Sequence, residues 1–124
     1  MSVQNADRQL KTYKVAGATG TELIIGYQSA ANTVAQATGT GVMAVGIIEN
    51  NPATSSDVAR VCYGGITKVH AGTGAIARGD KLTSDGRGYA VKTTATENSV
   101  GYAEEASTQD GQLIEIRVTP VKGS

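Results

Sequence analysis

Residues 81–92 read Lys-Leu-Thr-Ser-Asp-Gly-Arg-Gly-Tyr-Ala-Val-Lys, which places an Asp-Gly pair between two short runs of strand-forming residues. Asp-Gly accepts the positive φ angles of a type I′ turn, and this turn joins two antiparallel strands closely. The segment therefore predicts a β-hairpin with strands over Lys81–Thr83 and Tyr89–Lys92.

Similar short strand signals occur on both sides of this hairpin. In the last of them Ile114, Ile116 and Val118 alternate with Glu115 and Arg117, as in a strand with one buried face. No window of a dozen residues carries the apolar stripe of a helix. Seven more strands are predicted: Glu22–Tyr27, Thr33–Gln36, Val42–Glu49, Val58–Tyr63, Ile66–His70, Ser99–Ala103 and Gln112–Thr119. The expected fold is all-β, a small barrel or sandwich of short antiparallel strands.

The chain also contains an internal repeat. Val45-Gly46-Ile47-Ile48-Glu49 aligns with Val100-Gly101-Tyr102-Ala103-Glu104, and the alignment continues without a gap through the next predicted strand of each half. Upstream, a two-residue gap brings Ile25 onto Leu82. The halves, about 21–65 and 78–120, are each too poor in apolar residues to bury a face alone, so we expect them to close on one core. The predicted core consists of Ile25, Val45, Val61, Ile66, Leu82, Val100, Ile114 and Ile116.

The first 18 residues differ from the rest, and the predicted division is an N-terminal extended arm over 1–18 and a β-rich domain over 19–124. The arm has few apolar residues and more basic than acidic ones, so we expect it to become ordered only against a partner. A frayed terminus, or an edge strand over Lys11–Ala16, are the alternatives. The predicted contact residues are Arg8, Leu10, Lys11, Tyr13, Lys14 and Val15.

Charge and composition exclude several classes of protein. Eleven basic residues balance eleven acidic ones, whereas a nucleic-acid-binding surface needs a basic excess. Apolar stretches such as Val42–Val45 are too short to cross a bilayer, and Met1–Leu10 lacks the apolar core of a signal peptide. We therefore expect no nucleic-acid partner, no membrane partner and folding in a cytoplasm.

The reactive side chains do not form a catalytic group. His70 is the single histidine, and it stands at the end of a predicted strand with no nucleophile motif nearby. Cys62 is the single cysteine, so it has no disulfide partner and no second thiol for zinc, and its strand position favours a small hydrophobic role. Glu104 and Glu105 are adjacent and point to opposite faces of a strand. We expect no enzyme activity, no catalytic residue, no metal site and no cofactor.

Four segments together resemble the decoration (cement) proteins of tailed-phage capsids, and they are Gly65-Ile66-Thr67-Lys68-Val69, Ile76-Ala77-Arg78-Gly79-Asp80-Lys81-Leu82, Ser84-Asp85-Gly86-Arg87-Gly88-Tyr89-Ala90 and Val100-Gly101-Tyr102-Ala103. The resemblance implies a structural protein of the virion that binds the major capsid protein on the outer surface and stabilises the shell. It also implies a homotrimer, and it brings no catalytic residue with it.

Two other classes of protein remain open at this point. A phage fibre or adhesive receptor-binding β module would need an exposed aromatic or polar patch, which only the tyrosines of this chain could supply. A small enzyme or ligand-binding barrel would need a pocket lined by converging polar groups.

Overall fold

The computed structural model describes residues 9–17, 19, 21–39, 44–50, 52, 58–93 and 98–121, and this part of the chain contains strands and no helix. The all-β prediction is confirmed, and the strands predicted over Thr33–Gln36 and Ser99–Ala103 have those bounds in the structure. The strands are β1 (Gln9–Val15), β2 (Ile24–Ala30), β3 (Thr33–Gln36), β4 (Ala44–Ile48), β5 (Val58–His70), β6 (Lys81–Ser84), β7 (Ala90–Lys92), β8 (Ser99–Ala103) and β9 (Leu113–Val121).

Five strands form a closed barrel, called here the first barrel. Its strand order is β1-β3-β2-β4-β5, and the N-terminal half of β5 pairs with β1 to close the ring. Strand β1 runs antiparallel to β5 and parallel to β3. Inward-facing side chains fill the interior because alternate residues of each strand point to the same side. This interior cluster contains Tyr13, Val15, Ile24, Val34, Ile48, Ala59 and Val61.

A second ring of strands, called here the second barrel, uses the other half of β5. Its strand order is β5-β9-β8-β6-β7, with β5 and β9 paired from Gly65–Val118 to His70–Leu113. An isolated parallel bridge between Ala71 and Ala90 brings β7 back beside the end of β5. The two strands predicted over 58–63 and 66–70 are therefore one strand of 13 residues that belongs to both barrels.

The pattern of strand pairing recurs between the two halves of the chain, and it gives an alignment upstream that differs from the predicted one. Ile47 pairs with Cys62 in the first barrel and, 55 residues later, Tyr102 pairs with Arg117 in the second. The hairpin β2–β3 corresponds to β6–β7 with an offset of 56 residues, since Tyr27 pairs with Ala35 and Thr83 with Val91. The two-residue gap was therefore wrong: the halves differ by one residue, and Ile25 corresponds to Lys81.

Unusual backbone conformations recur at equivalent places in the two halves. Leu23 has a φ of 57° and Gly79, its counterpart, a φ of 91°. Asn32 and Gly88, in the two hairpin turns, have φ angles of 55° and 81°. The amide of Leu23 donates to Ile48 O, as that of Gly79 donates to Ala103 O. The two halves therefore share their turns as well as their strands.

The structure places the second part of the predicted arm inside the first barrel. Leu10 pairs with Cys62 just as Ile66 pairs with Arg117, so β1 is the first strand of its half. Tyr13 and Val15 are only 7% and 2% exposed, because they pack in the barrel of their own chain. The alternative of a strand over Lys11–Ala16 describes this segment better than an arm, but β1 is not a simple edge strand, because it is paired with β5 and, at Lys14 and Val15, with β3. Residues 1–8 lie outside the described part of the chain.

Most of the predicted core is confirmed. Six predicted residues are fully buried: Ile25, Val61, Leu82, Val100, Ile114 and Ile116. Val45 and Ile66 are only half-buried, so these two predictions were wrong. Ile66 corresponds to Leu10 and faces outward, whereas Val45 lies at an open end of the first barrel.

The two barrels are joined through the outside of the first one. Ile25, Ile47 and Cys62 face away from the interior of the first barrel and are fully buried in one cluster with the core of the second. Their counterparts, Lys81, Tyr102 and Arg117, face outward on the second barrel, where Tyr102 is 42% exposed. The apolar face that joins the barrels is therefore not repeated on the far side.

Candidate functional site

An open cleft of about 770 Å³ lies at one end of the first barrel. On β1 the residues Lys11, Tyr13 and Val15 alternate on the inner side, and Tyr63 continues the inner row of Val61 on β5. The outermost members of these rows surround the open end of the barrel. The residues that line this mouth cleft are Lys11, Tyr13, Tyr27, Gln28, Ala44, Val45, Tyr63 and Pro120.

Aromatic rings and one cation dominate the mouth cleft. Three of the five tyrosines of the chain line it, and Tyr63 is 42% exposed. The Lys11 ammonium lies 5.0 Å from the centre of the Tyr13 ring, a distance typical of a cation–π contact. Lys11 is the only charged residue among the described residues of the lining. The cleft thus offers apolar ring faces, phenol hydroxyls, the Gln28 amide and a positive charge.

The corresponding end of the second barrel is filled. The counterparts of Lys11 and Tyr63 are Thr67 and Val118, which are 7% and 1% exposed. The other counterparts are also small and buried: Val69, Thr83, Ser84, Ser99 and Val100. The first barrel covers this end of the second one, since Thr67 donates a hydrogen bond to Glu49, whereas the equivalent end of the first barrel is open around large side chains.

The structure distributes the predicted contact residues over three environments. Lys11 and Tyr13 line the mouth cleft, while Val15 lies in the core and is not available to a partner. Leu10 and Lys14 lie on the opposite side of β1, which faces outward, and both are exposed. Arg8 lies outside the described residues. The proposed role of this strand in capsid or subunit contact stays a prediction.

The outer face of β1 continues onto β5. Lys14 pairs with Val58, so these side chains stand next to each other on the outside of the barrel. Val58 is 55% exposed and Leu10 is 40% exposed, the two exposed large aliphatic residues of the first barrel in the described part of the chain. Leu113 is the counterpart of Val58 in the second barrel and is 43% exposed.

Sequence reasoning did not find the mouth cleft, although a signal for it was present. Tyr63 continues the alternation of Ala59 and Val61, which places its ring on the inner side of a strand that is otherwise apolar there. Tyr63 is thus an aromatic residue at the last inner position of its strand, where the second half has Val118. This difference indicates that the first barrel is open at that end. The alternation alone cannot show that Tyr27 and Tyr63 meet, because the closure of the barrel brings them together.

His70 belongs to a surface network rather than to a catalytic group. Its ring stacks on Tyr89 with a centroid distance of 5.1 Å, and the Arg87 guanidinium lies 4.2 Å from the Tyr89 ring centre. The Asp85 carboxylate accepts hydrogen bonds from the backbone amides of Arg87 and Tyr89 at 2.7 and 3.0 Å. These contacts hold the turn of the β6–β7 hairpin.

The same network ties the hairpin to the loop before β9. The Arg87 guanidinium donates hydrogen bonds to both carboxylate oxygens of Asp110, at 3.1 and 2.5 Å. These hydrogen bonds lower the pKa of Asp110, and the pKa of Arg87 is raised by the hydrogen bonds to Asp110 and Asp85. Arg87 thus connects the hairpin turn at Asp85 to Asp110 in the loop before β9.

The described residues contain no cluster of three or more His, Cys, Asp or Glu side chains that could hold a metal ion. The described part of the chain has no helical segment with the length and apolar character needed to cross a membrane.

Comparison with known proteins agrees with the fold and with the sequence resemblance. The head fibre gp8.5 N base of bacteriophage phi29 has a similar structure, with a TM-score of 0.65 and 20% identity over 93% of this chain and 98% of that chain. No curated protein matches the sequence. The family model for phage cement proteins matches residues 14–119, from the end of β1 almost to the end of β9. The chain therefore belongs to the phage cement protein family.

Proposed function

We propose that this protein binds the outer surface of a phage capsid and stabilises the assembled shell without catalysing a reaction. The observation that carries this proposal is membership of the phage cement protein family over nearly the whole double barrel. A protein that binds the assembled shell but not its dissociated subunits shifts the equilibrium toward the shell. Many copies on one lattice act together, so each contact can be weak.

The outer face of β1 and β5 is the proposed contact surface for the major capsid protein. It combines the exposed aliphatic side chains of Leu10 and Val58 with the ammonium group of Lys14. Apolar residues at the centre of a contact supply affinity, and a neighbouring charge sets orientation and partner. The contact is proposed to use these side chains of the outer face, without addition of a strand.

Further copies of the chain are the second proposed partner, in homotrimers on the outer capsid surface of the virion. The family resemblance supports this arrangement. The sequence has no net charge, so neighbouring copies do not repel one another through an excess of one sign. Synthesis in the host cytoplasm is part of the same proposal.

Capsid binding tests the proposal directly. Empty capsids are incubated with the protein and separated by sedimentation, and the melting temperature of the capsids is measured with and without it. We expect bound protein and a higher melting temperature. Val58→Ser should weaken binding about tenfold, the effect of losing roughly 1.4 kcal/mol of contact.

Leu113→Ser is the matched control, because Leu113 has a similar exposure at the equivalent place of the second barrel. This variant should bind capsids like the unchanged protein. If capsids bind the protein without any rise in their melting temperature, the protein binds the shell but does not stabilise it. Equal effects of both substitutions would exclude the proposed face.

A further inference from the structure

The mouth cleft is open at an end that is covered in the second barrel. There Thr67 and Val118 occupy the positions of Lys11 and Tyr63 and are buried. The first barrel supplies this cover, because Thr67 donates a hydrogen bond to Glu49 and Val118 lies in one cluster with Ile47 and Cys62. In the first barrel the ring of Tyr63 is instead left 42% exposed. The aromatic rings and the cation at this end are therefore accessible to a partner from outside.

The size of the mouth cleft suits a small ligand. Its volume of about 770 Å³ lies within the range of about 300–1,000 Å³ that is common for small-molecule sites, and barrel mouths are frequent places for them. Tyr13, Tyr27 and Tyr63 each combine a flat apolar face with a hydroxyl group. Gln28 adds an amide that can both donate and accept hydrogen bonds. This mixture fits a ligand with apolar C–H faces and many hydroxyls.

The charge in the mouth cleft selects among such ligands. Lys11 carries the only charge of the described lining, and no described lining residue is a carboxylate. Its ammonium group lies beside the Tyr13 ring at the open end, where an incoming group can reach it. A carboxylate on the ligand would form a charge-assisted hydrogen bond there.

The side chains of the mouth cleft favour a saccharide over a peptide as the occupant. An extended peptide is recognised mainly through backbone hydrogen bonds to a strand edge. Strand β1 is paired with β5 from Gln9 to Lys14 but with β3 only at Lys14 and Val15, so a peptide is one outcome that the test must distinguish. The described lining presents side-chain hydroxyl, amide and ammonium groups, which match the hydroxyls of a sugar better than a peptide backbone.

We propose that the mouth cleft binds an acidic saccharide, one to three sugar units of which at least one carries a carboxylate. The ligand's ring faces pack on the tyrosines, its hydroxyls bond to Gln28 and the phenol groups, and its carboxylate meets Lys11. Lys11 and Tyr13 face the opposite side of β1 from Leu10 and Lys14. A copy held on a capsid through the outer face of β1 would thus keep the mouth cleft open to solvent.

The test is an NMR titration of the full-length ¹⁵N-labelled protein. The probes are a galacturonate trisaccharide and sialyllactose, with a galactose trisaccharide and lactose as their neutral counterparts. We expect an acidic probe to shift the amides around Lys11, Tyr27 and Tyr63, and to bind more tightly than its neutral counterpart. Tyr63→Val introduces the residue found in the second barrel and should weaken binding about tenfold.

Two further variants complete the test. Lys11→Thr, again the residue of the second barrel, should remove the preference for the acidic over the neutral probe. Tyr102→Val removes an equally exposed tyrosine on the outside of the second barrel and should leave binding unchanged. The proposal is overturned if neither acidic probe shifts the cleft amides at millimolar concentration, or if Tyr102→Val weakens binding as much as Tyr63→Val. It is also overturned if an acidic peptide displaces the saccharide from the cleft and binds more tightly.

Discussion

At the scale of single residues, Gly46 and Gly101 show most directly why the two halves share a sequence pattern. Each lies in a strand with a positive φ, 155° and 157°, that other residues rarely adopt. A Cβ atom on Gly46 would overlap the carbonyl oxygen of Cys62, and one on Gly101 the carbonyl oxygen of Arg117. The Val-Gly pair of the repeat thus marks the place where two backbones come closest.

Alanine at either position should therefore destabilise the fold severely. Gly46→Ala and Gly101→Ala should each lower the free energy of unfolding by about 3 kcal/mol or more, the upper end of the range for typical substitutions. Chemical denaturation followed by circular dichroism measures the change in free energy of unfolding. Gly86→Ala is the matched control, since nothing lies within 4 Å of its added methyl group. A change below about 0.5 kcal/mol at Gly46 or Gly101, typical of surface sites, would contradict the geometry.

A second residue-scale prediction concerns the pairing of Arg87 with Asp110. The hydrogen bonds from Arg87 hold the pKa of Asp110 below its ordinary value of 3.8. The carboxylate therefore contributes stability above the unfolded-state pKa, and this contribution is lost as the pH falls through the lower folded-state pKa. Both groups are exposed, so the contribution to stability is small.

NMR titration of the Asp110 carboxyl carbon measures this pKa. In the Arg87→Gln variant it should rise toward the ordinary value, because the charge-assisted hydrogen bonds are gone. Arg78→Gln, at an exposed arginine outside this network, should leave it unchanged. An Asp110 that titrates identically with and without Arg87 would show that the pair does not persist in solution.

At the scale of elements, β1 decides whether the first barrel is closed. It contributes the buried Tyr13 and Val15 and covers Val34 and Val61 in the same cluster. Deleting residues 1–14 should therefore break the barrel, rather than leave the remaining domain folded as an independent arm would. Deleting residues 1–8 removes none of the described strands and is the matched control.

Thermal unfolding of the two deletion variants distinguishes these cases. We expect the shorter deletion to unfold cooperatively near the temperature of the full chain. The longer deletion should lose the cooperative transition or melt far lower, since the buried cluster is opened to water. Similar melting curves for both would mean that β1 is dispensable and that the arm interpretation is correct.

Most elements could be predicted because their signals are local. The turn residues Asp85-Gly86-Arg87-Gly88 and the alternation of Ile114, Ile116 and Val118 specify a hairpin and a strand without any knowledge of neighbours. The predicted type I′ turn was wrong, because the positive φ lies at Gly88 and not at Asp85 or Gly86. The missed elements depend on distant partners. Strand β1 has only two inward apolar residues, and strands β3 and β5 are needed to bury them. The Gly64-Gly65 pair in the sequence resembles a break, but β5 continues through it, because Gly64 pairs with β1 and Gly65 pairs with β9.

The mouth cleft was beyond local signals for a related reason. Its tyrosines are far apart in sequence, and they meet only because β1 closes the ring against β5. The position of each ring on an inner face follows from alternation, but an open end differs from a filled one only by the volume of all the side chains around it. Tyr27 corresponds to Thr83 only with the offset of 56 residues that the pairing of the two hairpins gives.

At the scale of the whole molecule, the outward face of the second barrel is polar and therefore cannot pack against a third barrel in the way that the first packs against the second. The first barrel buries Ile25, Ile47 and Cys62 against the second, whereas the counterparts Lys81 and Arg117 are polar. Repeat arrays need such polar terminal surfaces to stay soluble and finite.

Making this face apolar should therefore cause self-association. The double variant Lys81→Ile/Arg117→Val should form dimers or larger species as its concentration rises, which light scattering after size exclusion would detect. Lys92→Ile/Arg78→Val, at exposed positions outside the outward row of Lys81, Tyr102 and Arg117, controls for a general increase in surface hydrophobicity. If both double variants associate to the same degree, the outward face of the second barrel does not bind a specific surface of another copy.

Strand β5 gives the two barrels a common mechanical axis. Its 13 residues span roughly 43 Å at about 3.3 Å per residue, with no loop between the part paired to β1 and β4 and the part paired to β9. A pull along this strand loads the hydrogen bonds of both barrels in shear at the same time, instead of peeling them apart in sequence. Under such a load the two barrels would fail together, at a rate set by the unfolding of the joined structure.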